Sequence, residues 1–518
     1  MNEKLYRLNV YLFAFHLRDR LTSTSSQQNE NEKPEWLWRR GEVIFTELGI
    51  KPKFIIDKSY CPPDSKNSQS LQHSSVYDKE KEDPTIYPDL LKDKFISIPT
   101  QQSRNGTIKI NGFAYPQFFH DSYVLMLKIG HSCVDEKDAV EISTLKEFNS
   151  HNCLLPDEIN SYLGQTLIIT IRLTESQKQE KDKADFLKNL ADECLNNFIQ
   201  DEEKHPKYRC QEQLFGSPIF EYGQLIFNSG QVSHVPRYRH ILVWFLCDDT
   251  AEDNFDDKLR KDFIYLFLYR NKVISTFQKS REVYKFLYTK YQEIEQEVTK
   301  INEDILTKIS PDGVMSENDL KYLKIKLKIL SKIALEYSQL LRNLEHHRNN
   351  ITDNTHNYSE VIRAIAIKLN LGNEESVSKE LSFLRSFNQE NCIYFQEKIK
   401  SDLTYFGHGS GLLDKAIASI RGIVEIEQAE RDRNLQKTIQ AVGFGIGAAG
   451  VVATSAPYWI KQEPEIIPIN KPFISSSLNT FIFIILLSLF SGLLTWGIAS
   501  GVMNGKSSKE NPDKARMG

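Results

Sequence analysis

Apolar residues in the first part of the chain recur at every second position, and this alternation is typical of strands. Between Leu8 and Leu17 the positions that begin with Leu8 and Val10 form one apolar face. Strands are also predicted at Phe54–Asp57, Thr107–Ile110, Tyr123–Ile129, Gln165–Leu173 and His240–Cys247, and helices at Glu35–Leu48 and Ala184–Ile199. The pattern predicts an α+β domain over residues 1–250, with a polar insertion or loop at 59–93.

After Asn254 the apolar residues no longer alternate with polar ones but recur three and four positions apart. One such run extends from Tyr284 to Ile305 and a second from Leu320 to Leu344, which is the seam of a coiled coil. The segment Ser310–Gly313 predicts a turn, so the two runs are expected to fold back as an antiparallel hairpin within a helical coiled-coil region at 251–410. A polar loop is predicted at Asn349–Asn357, and a helix break at Gly407–Gly411.

Two stretches near the C-terminus, Thr438–Ile460 and Pro472–Gly505, contain no charged residue. Each reaches the ~20 residues that a helix needs to cross ~30 Å of hydrocarbon. The predicted segments are a stalk helix at 411–437, transmembrane helix 1 at 438–460, an outer loop at 461–477, transmembrane helix 2 at 478–503 and a basic cytoplasmic tail at 504–518. The expected fold class is an α+β N-terminal cytoplasmic domain, followed by long coiled-coil helices and a C-terminal two-helix transmembrane hairpin.

Composition narrows the possible functions. Hydrophobic residues make up 40% and charged residues 26% of the 518 residues, which excludes a wholly disordered chain and a carrier with ten or more spans. The net charge of −4 is too balanced for a nucleic-acid surface, so no nucleic-acid partner is expected. The seven cysteines form no CxxC pair, so neither a zinc ribbon nor a disulfide framework is expected.

Basic residues predict how the two spans are oriented. Four precede the first span, four follow the second, and the loop between the spans has only Lys461 and Lys471; the eight flanking residues are Arg421, Arg431, Arg433, Lys437, Lys506, Lys509, Lys514 and Arg516. By the positive-inside rule both termini are cytoplasmic. The prediction is a multi-pass protein of the inner (plasma) membrane.

Small and polar residues distinguish the first span from the second. Gly443 and Gly447 form a small-xxx-small pair, the pattern that lets helix backbones approach closely in lipid. Polar side chains near the inner end of a span often face a water-filled interior. The resulting candidates for pore lining or helix packing are Asn434, Thr438, Gln440, Gly443, Gly447 and Gly450. The pattern does not separate a pore wall from a packing seam, or contact with the second span from contact between copies.

This plan resembles the CorA-like two-transmembrane cation channel superfamily. The similarity covers the N-terminal domain, the stalk helix that leads into the first span, the outer loop, the second span and the basic tail, and residues 410–518 carry most of it. Members of that family are pentamers whose first span lines the pore. The resemblance therefore implies a homo-oligomer, a pentamer, that passes Mg²⁺ or a similar divalent cation, with no other cofactor.

The chain departs from the family at its signature motif. Where Gly-Met-Asn is expected, at the outer end of the first span, the sequence has Thr454–Trp459, and the similar letters Val502-Met503-Asn504 follow the second span. Selectivity for Mg²⁺ therefore does not carry over. Glu463 and Glu465 in the outer loop are predicted to attract cations at a pore mouth, and the alternative is a pair of solvated loop residues.

Enzyme motifs are absent from the sequence, so no catalytic residue, no resident metal and no enzymatic activity are expected. The chain has no Walker loop, no GxGxxG after a strand, no HExxH and no GxSxG. Two alternatives to a channel remain. One is a membrane-tethered sensor or effector, of the kind associated with defence genes, whose N-terminal domain binds a small ligand or a protein. The other is a non-conducting, membrane-anchored coiled-coil interaction protein.

Overall fold

The computed structural model describes most of the chain. The described residues are 4–17, 36–50, 95–119, 121–131, 133, 135–181, 185–223, 239–308, 315–462 and 476–509. Several features predicted above lie outside them: the strand Phe54–Asp57, the insertion at 59–93, the turn at Ser310–Gly313, the outer loop from 463 to 475 with Glu463 and Glu465, and the basic tail from 510 onward.

A mixed sheet occupies the N-terminal part of the chain. Its strands are β1 (Lys4–Leu17), β2 (Ile96–Gln102), β3 (Lys109–Phe119), β4 (Ser122–His131), β5 (Val140–Glu141), β6 (Gly164–Arg172), β7 (Tyr208–Leu214), β8 (Ser217–Tyr222) and β9 (His240–Leu246). Their order is β2-β3-β4-β1-β6-β9-β8-β7, and β5 pairs with β1. Strands β6 and β9 are parallel, and the other pairs are antiparallel.

Eleven α-helices lie within the described residues. They are α1 (Trp36–Glu47), α2 (Pro156–Ile159), α3 (Glu175–Glu180), α4 (Phe186–Phe198), α5 (Asp249–Asp253), α6 (Arg260–Lys308), α7 (Glu317–Lys368), α8 (Glu374–Glu380), α9 (Ser382–Ser386), α10 (Ile393–Gln462) and α11 (Ser476–Lys509). π-Helical turns at Asn254–Lys258 and Phe387–Cys392 precede α6 and α10. The chain is therefore mixed α/β, with an N-terminal sheet domain, long helices and two apolar C-terminal helices.

The predicted strands at β1, β4, β6 and β9 and the helices α1 and α4 are confirmed, with ends shifted by a few residues. The short strand predicted at Thr107–Ile110 overlaps β3, which begins at Lys109 and extends to Phe119. No prediction covered β2, β5, β7 or β8. Strand β7 has the sequence YRCQEQL and only one buried residue, so it lacks the alternating apolar pattern that marks a half-buried strand.

Both faces of the sheet are covered. Val10 and Leu12 of β1 join one core, to which α1 and α4 also contribute. On the other face the Phe13 ring lies 5.1 Å from the Phe267 ring of α6, and Phe119 of β3 lies 4.3 Å from Tyr265. Because consecutive strand residues point to opposite faces and both faces are covered, residues 8–16 of β1 are all buried.

The chain divides into two compact units. The first comprises Met1–Thr289 and Tyr337–His408, and within it Phe277 of α6 stacks on Phe395 of α10 at 4.1 Å between ring centroids. The second comprises Lys290–Glu336 and Gly409–Gly518. In that second unit Lys326 of α7 pairs with Glu297 of α6 at 2.6 Å.

Two predicted interruptions of the helices are wrong. The loop expected at Asn349–Asn357 is part of α7, and the break expected at Gly407–Gly411 is part of α10. In both helices every seventh residue is buried through the supposed break: Leu330, Tyr337, Leu344, Ile351, Tyr358 and Ile365 in α7, and Ile399, Phe406, Leu413 and Ile420 in α10. Burial of this seam outweighs the cost of interior glycines, ~1 kcal/mol each, and of the polar residues on the other faces.

Candidate functional site: the apolar helices and a buried ion cluster

Helices α10 and α11 are long and apolar enough to cross a membrane. Their most apolar windows have mean hydropathies of 1.5 and 2.3. The apolar part of α11, Phe481–Val502, has 22 residues, and ~20 suffice to span the hydrocarbon. Large side chains such as Phe490 and Leu493 point away from the rest of the chain, 65% exposed in each case.

The two apolar helices meet through glycines. A Cβ placed on Gly445 would lie 2.9 Å from the carbonyl oxygen of Gly492 and 3.1 Å from the Cβ of Trp496. A Cβ on Gly492 would lie 3.0 Å from the Cβ of Ala449. A Cβ on Gly445 would collide with the backbone of α11, so this position requires glycine, whereas at Gly492 a shift of a few tenths of an ångström would relieve the contact. Ala441 and Ala456 of α10 are buried on the same side, and the contact is made of small residues, as is usual in lipid.

The glycines singled out in the sequence lie on another face of α10. A Cβ on Gly443, Gly447 or Gly450 would meet no atom within 4 Å among the described residues. Residues three and four apart share a face of a helix, so these glycines form one exposed stripe with Gln440, turned away from Gly445. We call these four residues the glycine stripe. Contact with α11 uses Gly445 and Ala449 instead, and the role of the glycine stripe in packing or pore lining stays a prediction.

The two other predicted polar residues do not belong to the glycine stripe. Asn434 and Thr438 precede Gly445 by whole turns of the helix and therefore lie on its side. Both are exposed, and the Thr438 Oγ1 donates to the Asn434 carbonyl oxygen at 3.0 Å. The six candidates thus divide between two sides of α10, a distinction that the sequence reasoning did not make.

A cluster of ionisable side chains is buried between the sheet and α6. Glu221 of β8 accepts hydrogen bonds from Arg270 of α6 and, at 2.6 Å, from Arg209 of β7. His240 of β9 approaches the same carboxylate, with Nε2 at 3.3 Å from Oε1. The side chains of Glu221, Arg270 and His240 are each at most 2% exposed.

Further polar contacts extend this ion cluster. His240 Nδ1 lies 2.9 Å from Thr166 Oγ1, and the Asn271 Nδ2 of α6 donates to the same hydroxyl at 3.1 Å. The Arg270 guanidinium lies 4.0 Å from the ring centroid of Phe387. The ion cluster therefore ties β6, β8 and β9 to α6 and to the π-helical turn before α10.

The charge states in the ion cluster follow from its burial. Burial disfavours the Glu221 carboxylate, but Arg270, His240 and Arg209 outweigh it and hold the pKa of Glu221 well below its usual range. Burial and, next, the charge of Arg270 lower the pKa of His240 to about 4. At neutral pH a charged Glu221 thus faces two arginines and a neutral imidazole. Because Glu221, Arg270 and His240 are buried, these contacts clamp the sheet to α6.

No group of three or more His, Cys, Asp or Glu side chains suited to a metal ion is found within the described ranges. His346 and His347 lie in α7 with their ring centroids 6.3 Å apart. Burial and, next, His346 lower the pKa of His347 to about 4, so this imidazole is neutral at physiological pH.

No family model, curated protein or solved structure matches this chain.

Of the residues that sequence reasoning missed, Gly445 had a detectable signal, because Ala441, Gly445 and Ala449 are small residues spaced by four. Glu221 and Arg270 had none, since they lie 49 residues apart and either charge alone is typical of a surface.

The glycine contact predicts different effects for two neighbouring glycines. Cysteines at Ala449 and Gly492 should form a disulfide on mild oxidation, because their Cβ atoms would start 3.0 Å apart and a shift of roughly 0.5–1 Å brings them to the ~3.5–4.5 Å of a disulfide. Gly445→Leu should abolish that disulfide by separating the helices, and Gly447→Leu, the matched control, should leave it intact. Electrophoretic mobility with and without reducing agent measures the bond. Equal disulfide yields in the two variants would contradict the contact.

The ion cluster predicts loss of stability in acid. Because the folded-state pKa of His240 is about 4 and its ordinary value is 6.5, the unfolded chain binds a proton between these values that the folded chain does not. Stability therefore falls as the pH drops through this window, by ~3 kcal/mol at ~1.4 kcal/mol per pKa unit. Loss of the Glu221 charge at lower pH acts in the same direction.

Thermal unfolding of the detergent-solubilised protein at about pH 7 and about pH 5, followed by tryptophan fluorescence, measures this dependence. His240→Gln removes the titrating group and should reduce the drop in midpoint between the two pH values, even if the midpoint itself is lower at both. His347 titrates in the same direction and is unchanged in this variant. An identical drop in variant and wild type would show that His240 is not responsible.

Proposed function

We propose that this protein is an oligomeric membrane protein, resembling CorA-like cation channels, that passes or gates ions under the control of its cytoplasmic sheet domain. The observation that carries the proposal is the glycine stripe of α10. Two helices from one chain cannot enclose a pore, so conduction requires several copies. The glycine stripe is the face of α10 at which further copies, or the water of a pore, would meet it.

The glycine stripe serves neither the contact with α11 nor a side of the helix that faces only lipid. Contact with α11 already uses the opposite side of the helix, through Gly445. A purely lipid-facing side needs no glycines, and side chains of Leu, Ile and Phe cover most of α11. Small residues in a membrane helix permit close helix contacts, and polar Gln440 at the inner end of the stripe suits a water-filled interior.

Control by the sheet domain is supported by the continuity of α10. This helix has 70 residues, about 105 Å at ~1.5 Å per residue, and it begins next to the π-helical turn that carries Phe387. Arg270 of the ion cluster lies against that ring. In the proposed mechanism, binding in the cytoplasmic part shifts the antiparallel helical hairpin of α6 and α7, and α10 transmits the shift to its apolar part.

The orientation and the ion follow the sequence predictions. In the proposed arrangement the protein spans the inner membrane, and both termini and the sheet domain are on the cytoplasmic side. Glu463 and Glu465 are assigned to the outer loop. A divalent cation is the transported ion that the resemblance implies. Without the Gly-Met-Asn motif, selectivity would depend on charge in that loop rather than on the family's motif.

The missing motif favours a second candidate function. A membrane-tethered sensor or effector of the same architecture would need to open or disrupt the membrane in response to a ligand, with no selectivity for Mg²⁺. A non-conducting anchor for a coiled coil is the third reading. Leakage that requires a bound ligand would favour the sensor, and constitutive cation flux would favour the channel.

The proposed assembly predicts the mass of the particle. Light scattering of the protein in nanodiscs should give a ring of about five 60.0 kDa chains. Gly447→Leu places a bulky side chain on the glycine stripe and should reduce the mass, because helix contacts through small residues tolerate no such side chain. Ile446→Leu, at a neighbouring position that is 69% exposed, is the control and should keep the wild-type mass. A monomeric or dimeric wild type would contradict a pore.

The proposed pore mouth predicts a charge dependence of flux. Changing Glu463 and Glu465 together to Gln should lower divalent-cation flux into proteoliposomes, because the repeated carboxylates would no longer concentrate cations. The same double variant should keep the wild-type particle mass. Unaltered flux would assign both residues to a solvated loop.

A further inference from the structure

A cavity of about 310 Å³ lies in the first unit, where β3 and the beginning of α6 approach the end of α7. Its wall combines aromatic rings from one side of the sheet domain with four basic residues and two aspartates from α6, the end of α7 and the π-helical turn before α6. Cavities that hold small molecules begin at ~300 Å³. Neither the ion cluster nor the apolar helices contribute to its wall.

The aromatic wall is unusually open. Phe95, immediately before β2, is 50% exposed, and its ring centroid lies 6.0 Å from that of Phe113 in β3. The Arg260 guanidinium lies 4.7 Å from the Phe113 ring centroid. An exposed phenylalanine beside a stacked guanidinium offers an apolar face and a cation to the same ligand, which suits a flat, electron-rich ring.

The charges of the opposite wall are only partly balanced. Asp262 is 2% exposed, and Lys368 Nζ binds both its oxygens, at 2.7 and 2.8 Å. Arg260 is 3.9 Å from Asp257, a loose pair. Lys258 Nζ donates to an amide oxygen of Asn254 at 3.1 Å. Lys258 and Lys261 thus remain without a carboxylate partner within the part of the chain that the structure describes.

The position of these cations at the start of α6 adds to the imbalance. The helix has 49 residues and begins at Arg260, so the positive end of its dipole lies at the cavity. Basic residues are unfavourable at this end of a helix. A bound anion would offset both the dipole and the charges of Lys258 and Lys261. Arg260 Nε is, in addition, a buried donor with no hydrogen-bond partner among the described atoms.

We infer that this cavity binds a nucleoside monophosphate or a closely similar small organic anion, its flat ring against Phe95 and Phe113 and its phosphate between Lys258 and Lys261 at the start of α6. The inference extends the proposed function, because it identifies a ligand class to which a gated membrane protein would respond. Binding itself depends only on the cavity, so it can be tested apart from ion passage.

Calorimetry on the full-length protein in detergent tests this with three probes: adenosine monophosphate, adenosine and inorganic phosphate. The monophosphate should bind at least about tenfold more tightly than either part alone, because ring and phosphate contacts each contribute a factor of that order. Lys261→Glu should weaken its binding by about tenfold or more. Lys137→Glu, at an exposed position elsewhere in the same unit, is the matched control and should not.

Phe95→Ala provides a second variant that should fold normally, since half of this side chain is already exposed. It should weaken binding of the monophosphate and leave binding of inorganic phosphate unchanged. Phosphate that binds as tightly as the monophosphate, or a monophosphate that binds both variants as it binds wild type, would overturn the inference. Tight binding with no effect on flux would leave the site standing and contradict the proposed control of ion passage.

Discussion

The sheet domain depends on keeping one buried carboxylate charged. Glu221 is almost completely removed from water, yet Arg270, Arg209 and His240 surround it with donors. A buried charge without such partners costs several kcal/mol, so removal of Arg270 would leave the Glu221 carboxylate with a single positive partner, Arg209. Because Arg270 comes from α6, the charge of Glu221 is fully paired when this helix lies on the sheet. The ion cluster therefore holds α6 against the sheet.

The long helices obey a different constraint, the burial of every seventh residue. In α7 the seam from Leu330 to Ile365 is at most 1% exposed at each step. In α10 the corresponding seam passes directly through the glycine-rich segment at Gly407–Gly411. Local composition there favours a loop, but burial of one large side chain contributes ~1.5–3 kcal/mol and exceeds the helix cost of a single glycine. Periodicity over several turns thus outweighs a short polar or glycine-rich stretch.

Small residues on two opposite sides of α10 give this helix two different surfaces in its apolar part. On one side Gly445 allows the backbone of α11 to approach to contact distance. On the other side the glycine stripe leaves the backbone accessible along several turns. A helix that served only as an anchor would need one such side at most. In the proposed assembly, the Gly445 side packs against α11 of the same chain, and the glycine stripe meets other chains or the pore.

Sequence by itself determined the elements whose signal is local. The alternation in β1, the spacing of three and four in α6 and α7 and the charge-free stretches of α10 and α11 each lie within a few turns or a single strand, so neighbouring residues suffice to define them. Only the tertiary structure decided which side of α10 meets α11, because both sides carry small residues at helical spacing. It also brought together Glu221 with Arg270, and Phe95 with Arg260 and Lys368. These groups come from distant parts of the chain, and an isolated charge or ring carries no pattern that identifies its partner before the chain folds.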